Sequence, residues 1–188
     1  MKRINVIGTS GSGKSTFSRM LATTLGYPYI EMDAMFWQPN WQESSDEAFF
    51  AKLESCLSQD SWVLDGNYNR TVDIKWVNID QVIWIDYPFS RTVYQAVKRA
   101  LIRSVTKTEL WDNTGNIETF GKSFFSRDSI IIWTLKTYKR NRIRYTEMSN
   151  DPKYRHIEFV RLKSPKMAKA YINGIRVSSI ISRSDTCS

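Results

Sequence analysis

A chain of 188 residues with 41% hydrophobic and 13% aromatic residues has the length and apolar content of one folded domain, which excludes disorder over most of its length. Its two cysteines, Cys56 and Cys187, make neither a disulfide framework nor a Cys-x-x-Cys metal site, so zinc chemistry is excluded. Apolar runs stay below the roughly 18 residues of a membrane span, and no signal peptide is apparent. We expect a soluble, cytoplasmic protein without membrane association.

The formal net charge of +8 is unevenly distributed along the chain. Residues 1–90 hold 7 Lys/Arg and 11 Asp/Glu, a balance of −4, whereas residues 91–188 hold 20 and 8, a balance of +12. A basic balance is typical of proteins that bind nucleic acids or anionic membranes, but an acidic half followed by a basic half also suits a phosphate site between them. The charge alone does not decide between these classes.

Apolar runs closed by turn residues alternate with helical patterns along the chain. The first run, Arg3–Gly8, precedes a helix that begins at Lys14 and ends at Gly26. The predicted strands are 3–8, 29–32, 62–64, 81–85 and 157–162, and further helices are predicted after a capping box at Ser44 and Glu47, after Ser90, and over 126–148 and 164–172. Residues 33–42 are aromatic and predicted to be irregular. The alternation predicts an α/β fold of three layers around a parallel sheet, in one domain over 1–188.

The segment Gly8-Thr9-Ser10-Gly11-Ser12-Gly13-Lys14-Ser15 matches the pattern Gly-x-x-x-x-Gly-Lys-[Ser/Thr] and lies between a predicted strand and a predicted helix. Its glycines allow successive backbone N–H groups to point at one centre, and the helix adds its positive N-terminal end. Such a loop binds phosphate oxygens. The alternative is a glycine-rich turn that contains a lysine by chance, and the strand-to-helix context argues against it.

Residues of this loop, together with Asp65, are candidates for chemistry on ATP and Mg²⁺. Lys14 is expected to act as a catalytic point charge on the β- and γ-phosphates, and the Ser15 hydroxyl is a suitable hard ligand for Mg²⁺. Thr16 takes the place of Ser15 as ligand only if the loop and helix are shifted in register by one residue. Asp65, which follows the predicted strand 62–64, suits a role in holding Mg²⁺ through water.

The residues around Asp65 narrow the reaction class. Motor ATPases typically place a water-activating glutamate after this aspartate, where the chain has Gly66, and the guanine-reading motif Asn-Lys-x-Asp is absent. Kinase transfer to a small acceptor is left as the main hypothesis. Asp33, at the end of the second predicted strand, is expected to orient the acceptor hydroxyl, act as base or hold metal water, with a structural cap as the alternative. For Asp86, which ends the fourth predicted strand, capping is favoured over catalysis.

Cations and aromatic residues complete the candidate set. Phosphoryl transfer needs positive charge on the transferring group, and Arg99, Arg103 and Arg140 are candidates, although a solvated surface role is the ordinary alternative for each. Phe36 and Trp37 are candidates for stacking on an acceptor ring, with core packing the favoured alternative for these and for Trp41, Trp62 and Tyr68.

Taken together, these motifs resemble the DNA topology modulation (FlaR-related) proteins, a branch of the adenylate-kinase-like P-loop kinases. The resemblance covers about residues 3–171 and is carried by the phosphate-binding loop and by four further motifs, at 32–37, 65–68, 85–88 and 161–166. It implies a five-stranded sheet in the order 2-3-1-4-5, a hinged lid, and ATP with Mg²⁺. The lid is assigned to a mobile insertion at 104–125, the acceptor side to 34–60, and a flexible tail to 178–188.

The resemblance also implies roles for two further segments. Adenylate kinases carry Asp-Gly-Phe-Pro-Arg where this chain reads Asp65-Gly66-Asn67-Tyr68-Asn69-Arg70, so the arginine is one residue late and the proline is missing. By this analogy, Asp65, Gly66, Asn67, Tyr68 and Arg70 contribute to the acceptor site. The turn with Lys163, Ser164 and Pro165 is expected to lie under the adenine.

Two hypotheses of different classes follow. The first is an ATP- and Mg²⁺-dependent kinase whose small acceptor is a nucleotide or nucleoside-like molecule, the acceptor class being an analogy. The second is a nucleic-acid-associated regulator that uses ATP as a switch and has little or no kinase activity. The chain has no helix-turn-helix or aromatic RNA-binding signature, so nucleic acid is a possible but unfavoured partner. A protein that binds ATP without turnover is the third alternative.

Overall fold

The structure is a computed structural model that describes residues 1–107, 109–111, 114–117 and 130–184. Its strands are β1 (Arg3–Gly8), β2 (Tyr29–Glu31), β3 (Trp37–Gln38), β4 (Gln42–Glu43), β5 (Trp62–Asp65), β6 (Gln81–Ile85) and β7 (Glu158–Leu162). Its α-helices are α1 (Lys14–Leu25), α2 (Met32–Phe36), α3 (Asp46–Leu57), α4 (Val72–Lys75), α5 (Phe89–Thr106), α6 (Ile130–Asn150) and α7 (Pro165–Ser184). Short 3₁₀ turns lie at Pro39–Trp41, Asn69–Thr71 and Pro152–Tyr154.

Five strands form one parallel sheet in the order β2-β5-β1-β6-β7. These are the five predicted strands, so the α/β class, the parallel pairing and the order 2-3-1-4-5 are confirmed. In parallel sheets the carboxyl ends of all strands meet at one edge, where ligands bind. The register pairs Glu31 of β2 with Asp65 of β5, and Val6 of β1 with Asp65.

Side chains alternate between the two faces of the sheet with the period of two expected for strands. In β5, Trp62 and Leu64 join one core cluster while Val63 joins the other, and β6 divides in the same way. One cluster packs under α3 and α6, through Phe49, Leu53 and Tyr145; the second packs under α1 and α7, through Phe17, Leu21 and Ile172. Both faces are therefore covered, as the three-layer prediction required.

Several local predictions need correction. The segment 33–42 is not irregular, because it contains α2 and an antiparallel hairpin of β3 with β4. The cap of α3 is Ser45, whose side chain accepts a hydrogen bond from the Ala48 amide, rather than Ser44. Helix α5 begins directly after Pro88 without a side-chain cap, so Ser90 is not its cap.

The C-terminal part also differs from prediction. Helix α7 extends to Ser184, well past the predicted end at 172 and through most of the segment expected to be a flexible tail. Ile172 is buried and Ile175 packs on the same core cluster, so the helix continues through the turn-favouring pair Asn173-Gly174. Of the predicted lid, Ser104–Thr106 belong to α5, and Glu109 bridges Ile117. Residues 108, 112–113, 118–129 and 185–188, which include the first four residues of the helix predicted over 126–148, lie outside the described chain.

Candidate active site

The phosphate-binding loop lies between β1 and α1, as predicted. Gly11 and Gly13 have φ angles of 81° and 90°, which residues with a side chain rarely adopt. A Cβ atom at Gly11 would lie 2.7 Å from the Ala96 Cβ of α5, so the loop and that helix are in close contact. The Ser12 hydroxyl is buried, and the described residues offer it no hydrogen-bond partner. An orphaned donor inside a glycine cradle at a helix N-terminus fits a phosphate group.

The remaining loop residues are arranged around this cradle. Thr9 is buried, and its carbonyl accepts a hydrogen bond of 3.0 Å from the Ser12 amide, which closes the turn. The Ser10 hydroxyl accepts a hydrogen bond of 3.2 Å from Arg99. Ser15 is half-buried at the first turn of α1, whereas Thr16 is exposed. Ser15 is thus accessible at the position predicted for a metal ligand, and that role stays a prediction.

Lys14 and Asp65 form an ion pair with 2.7 Å between Lys14 Nζ and Asp65 Oδ1. The Asp65 side chain is only 1% exposed, because β5 lies between β1 and β2 in the sheet. Burial lowers the pKa of Lys14, but the charges of Asp65 and Asp33 outweigh it, and the net effect is a raised pKa. Lys14 is therefore a fixed positive charge at the carboxyl edge of the sheet.

Glu31 is a site residue that the sequence analysis missed. It pairs with Asp65 across neighbouring strands, and the Tyr29 hydroxyl lies 2.9 Å from Asp65 Oδ2 and 3.1 Å from Glu31 Oε2. Arg19 forms an ion pair with the same Glu31 oxygen at 2.8 Å. Burial, followed by the charges of Asp65 and Glu31, raises the pKa of Tyr29 strongly. The position of Glu31, two residues before Asp33 on the same strand end, was the available signal.

Asp33 lies in α2, directly after β2. The Tyr68 hydroxyl donates a hydrogen bond of 2.8 Å to Asp33 Oδ1. Burial and the Asp33 charge raise the pKa of Tyr68 strongly, so this hydroxyl remains a donor. Asp33 also contributes to the raised pKa of Lys14 through its charge. The structure therefore brings Asp33, Tyr68 and Lys14 to one region, which the predicted strand ends implied.

The segment from Asp65 to Tyr68 is held closely against its surroundings. A Cβ at Gly66 would lie 2.7 Å from three side-chain atoms of Met32, and the Gly66 φ of 151° also favours glycine. The Asn67 side chain donates a hydrogen bond of 2.6 Å to the Tyr145 hydroxyl of α6. Asn5, fully buried in β1, donates to the Gly66 carbonyl at 3.0 Å.

Aromatic packing surrounds the next candidate, Arg70. Its guanidinium carbon lies 4.9 Å from the ring centroid of Phe36, and a terminal nitrogen pairs with Asp46 at 3.2 Å. Phe36 is buried in the core, as the packing alternative stated, and Trp62 is buried likewise. Trp37 is half-buried and stacks against Trp111 with centroids 6.5 Å apart. Trp111, which the sequence analysis did not single out, also donates a hydrogen bond of 3.4 Å to Glu31.

The three predicted catalytic arginines occupy different environments. Arg99 contacts the phosphate-binding loop through Ser10, and its charge acts on Lys14. Arg103 is half-buried one turn further along α5. Arg140 lies on an exposed face of α6, and the structure gives it no contact with the loop in the part of the chain it describes. Arg99 is placed at the loop, and the catalytic roles of all three stay predictions.

Asp86 is a buried ion-pair centre rather than a cap. Both the Nε and a terminal nitrogen of Arg161 donate to Asp86 Oδ2, and Arg142 of α6 lies 3.4 Å from the same oxygen. Arg161 also stacks on Trp84, with 4.2 Å between its guanidinium carbon and the ring centroid. Asp86 thus connects β6, β7 and α6 beside the nucleotide loop.

The predicted adenine segment follows β7. Lys163 is exposed, while Ser164 and Pro165 are half-buried. The Ser164 hydroxyl accepts a hydrogen bond of 3.2 Å from the Met167 amide, so Ser164 caps α7. Its position at the carboxyl edge of the sheet agrees with a turn beneath a nucleotide, and the contact with adenine stays a prediction.

Among the described residues, no group of three or more His, Cys, Asp or Glu side chains is placed to hold a metal ion alone. Mg²⁺ is usually held by one or two carboxylates together with phosphate oxygens and water, so this finding suits a Mg²⁺–nucleotide complex. The donor set of Ser15 and Asp65, with Glu31 beside them, consists of hard oxygens. These residues fit the ion, and Mg²⁺ would supply neutralisation of phosphate charge there.

Comparison with known proteins matches part of the chain. The profile of the shikimate kinase family matches residues 10–58, which run from the phosphate-binding loop into the end of α3. The shikimate kinase of Gloeobacter violaceus is 41% identical over 56 residues, covering 27% of this chain and 32% of that protein. The shikimate kinase of Synechococcus sp. (strain RCC307) is 35% identical over 95 residues, covering 43% of this chain and 49% of that protein. The chain thus matches a third to a half of each relative's length.

The whole fold is matched by a solved structure. The shikimate kinase from Acinetobacter baumannii in complex with shikimate superposes with a TM-score of 0.57 at 14% identity, covering 97% of this chain and 94% of that one. Together with the strand order, this likeness defines the three-layer α/β fold of the P-loop kinases. The relatives named here are not DNA topology modulation proteins or adenylate kinases, so they do not support that narrower resemblance. In the described part of the chain, no helix has both the length and the apolar character to cross a membrane.

Proposed function

We propose that this chain is an ATP-dependent kinase that transfers the γ-phosphoryl group to a hydroxyl of a small acceptor. The observation that carries the proposal is the convergence of Lys14, Asp65 and Asp33 at one edge of the sheet, beside a glycine cradle that fits phosphate. In this arrangement Lys14 and Arg99 hold the phosphates, and Asp33, fixed by Tyr68, orients the acceptor hydroxyl or takes its proton. Ser15 and Asp65 hold Mg²⁺ with its water.

Two classes of acceptor are proposed, and each is one arm of the test below. The sequence analysis predicted a nucleotide or nucleoside-like acceptor, with Phe36, Trp37, Gly66, Asn67 and Arg70 on its side. The partial matches to shikimate kinases instead favour a small polyhydroxylated acceptor of the shikimate type. Both arms require a hydroxyl beside Asp33, and the match covers residues 10–58, which include this aspartate.

The test is release of ADP from ATP and Mg²⁺ with AMP, adenosine or shikimate, each compared with a blank that lacks acceptor. We expect acceptor-dependent ADP release in at least one arm, and its loss in Lys14→Ala with the fold intact by circular dichroism. Lys52→Ala, which removes an exposed lysine of α3, is the matched control and is expected to keep full activity. Unchanged activity in Lys14→Ala would exclude the proposal.

The nucleic-acid regulator is retained as a second candidate because of one surface. Helix α6 exposes a shallow groove of about 440 Å³. Four cations line it, Lys136, Lys139, Arg140 and Arg144, together with Ile143 and Glu147. If this groove binds phosphate backbones, affinity for duplex DNA should fall by roughly 10³-fold between 50 and 200 mM salt for six contacts. Absence of salt-sensitive DNA binding at physiological ionic strength would remove this candidate.

A further inference from the structure

Lys75, the last residue of α4, is buried without an opposite charge. The residue is 2% exposed, and its Nζ donates one hydrogen bond of 3.1 Å to the Tyr68 carbonyl. It forms no ion pair with a carboxylate in the described parts of the chain. A lysine ammonium has three donors, so a single carbonyl satisfies it poorly.

This arrangement costs stability. Burial, and then the positive charge of Lys14, lower the pKa of Lys75 from 10.5 to about 7. Lys14 is buried as well, but it has Asp65 as a partner and its pKa is raised. An apolar side chain of similar length at position 75 would avoid the desolvation and the repulsion. The fold therefore carries a lysine that it does not need for stability.

The partner of Lys75 connects it with the candidate site. The Tyr68 carbonyl also accepts a hydrogen bond of 2.7 Å from the Thr71 hydroxyl, so two side-chain donors hold the main chain at this residue. From the same residue, the Tyr68 hydroxyl reaches Asp33 at 2.8 Å. A shift of the Tyr68 main chain would move that hydroxyl, and with it the carboxylate that it orients.

We propose that Lys75 is a positioning residue of the acceptor side, whose buried amino group fixes the Tyr68 main chain and so sets the Tyr68 hydroxyl against Asp33. The inference rests on the proposed function, because Asp33 is assigned there to the acceptor hydroxyl. Lys75 contacts no reacting atom in this role. It acts through Tyr68, at a cost in stability that the fold retains for the geometry of the site.

The test compares Lys75→Met with the wild-type chain and with Lys153→Met. Lys153 is an exposed lysine paired with Asp73 at the surface, so its replacement is a matched control. For Lys75→Met we expect the thermal midpoint to rise by about 4 °C or more, because an unpaired buried amine is removed. We also expect the acceptor KM to rise about tenfold while the KM for ATP is unchanged. Lys153→Met should leave both KM values and the midpoint near those of the wild type.

Two outcomes would overturn the inference. A lower midpoint in Lys75→Met, or failure of this variant to fold, would show that Lys75 stabilises the fold and is an ordinary structural residue. A raised midpoint with an unchanged acceptor KM would show that Lys75 does not position the site. Replacing a residue with a merely structural role would not raise the KM for the acceptor while leaving the KM for ATP unchanged.

Failure of the proposed function is distinguishable from failure of this inference. If the wild-type chain phosphorylates no acceptor in the panel, the kinase proposal fails, and Lys75 is judged by amide hydrogen exchange over residues 66–71 in the full chain. Faster exchange there in Lys75→Met, together with a raised midpoint, would support the positioning of the Tyr68 main chain. Unchanged exchange would overturn it.

Discussion

The proposed nucleotide side and the proposed acceptor side of this site are built in different ways. The nucleotide side is one continuous segment, residues 8–15, whose ligand groups are main-chain amides shaped by glycines at positive φ. The proposed acceptor side joins two segments, since the Tyr68 hydroxyl reaches Asp33 from 35 residues away, while the Lys75 amino group holds the Tyr68 carbonyl from seven residues away. An added side-chain atom should therefore damage the nucleotide side, whereas the loss of a polar side-chain group should damage the acceptor side.

Their two buried lysines show the same contrast. Lys14 forms an ion pair with Asp65 at 2.7 Å and its pKa is raised, so its charge is permanent. Lys75 has a carbonyl partner instead of a carboxylate, and burial together with Lys14 lowers its pKa to about 7. Phosphate binding needs a fixed positive charge, which the nucleotide side provides. The acceptor side needs a donor in a fixed place, and an amine provides one in either charge state.

The largest effect should come from Asp33→Asn on the acceptor side. The amide oxygen can still accept from Tyr68, so the geometry is kept while the base and the negative charge are lost. We expect kcat with the active acceptor to fall by about 10³-fold and the dissociation constant of ATP to stay unchanged. Stopped assays of ADP release and calorimetry measure the two quantities. Asp60→Asn, at an exposed position, is the control, and a wild-type kcat in Asp33→Asn would contradict a catalytic role for Asp33.

The next effect should come from Gly11→Ala on the nucleotide side. Its Cβ would lie 2.7 Å from the Ala96 Cβ and 2.9 Å from the Thr92 carbonyl oxygen, at a φ of +81°. Strain and overlap together should weaken ATP binding about 100-fold, measured by calorimetry. Gly26→Ala is the control, because Gly26 has a φ of +69° at the C-terminal end of α1, outside the loop, with nothing within 4 Å; it should leave ATP affinity unchanged. Equal ATP affinity in the Gly11→Ala variant and wild type would show that the cradle does not bind the phosphates.

A smaller effect is expected from Tyr68→Phe. This substitution removes the hydroxyl that donates to Asp33 and keeps the ring, which packs against Phe36 and Phe49. We expect kcat/KM for the acceptor to fall about tenfold, the loss of one charge-assisted hydrogen bond, with ATP affinity unchanged. A parallel loss of ATP affinity would mean that the two sides are not separable.

The smallest effect concerns stability and pH. Because the pKa of Lys75 is lowered to about 7, the unfolded chain binds more protons than the folded chain between pH 7 and 9. The free energy of unfolding should therefore rise with pH in this window, by up to about 1.4 kcal/mol per pH unit from this residue. Urea unfolding of wild type and Lys75→Met at several pH values measures the difference between them. If both chains show the same pH dependence, the amino group of Lys75 is not desolvated as the structure indicates.

Much of the fold and half of the site were predictable from the sequence. The strand positions and the place of the loop at 8–15 are confirmed, because apolar runs and glycine spacing are local properties. The sheet order, which the family resemblance implied, is confirmed as well. Asp33 and Asp65 were expected near each other, because the carboxyl ends of parallel strands share one edge. Glu31, Trp111 and Lys75 were not identified: Glu31 had a local signal in its position two residues before Asp33, whereas no local pattern marks Trp111 or Lys75. Their importance depends on neighbours that are 34 to 80 residues away along the chain.

The amino-acid sequence by itself determined where the strands lie along the chain, the glycine cradle and its lysine, because these follow from the periodicity and conformational freedom of consecutive residues. Only the tertiary structure decided which charges are compensated. It placed Asp65 beside Lys14, joined Asp33 to Tyr68, and left Lys75 buried with a carbonyl as its partner. Burial and the distance between charges arise from packing of segments remote in sequence, and these two quantities set the energies of buried ionisable groups.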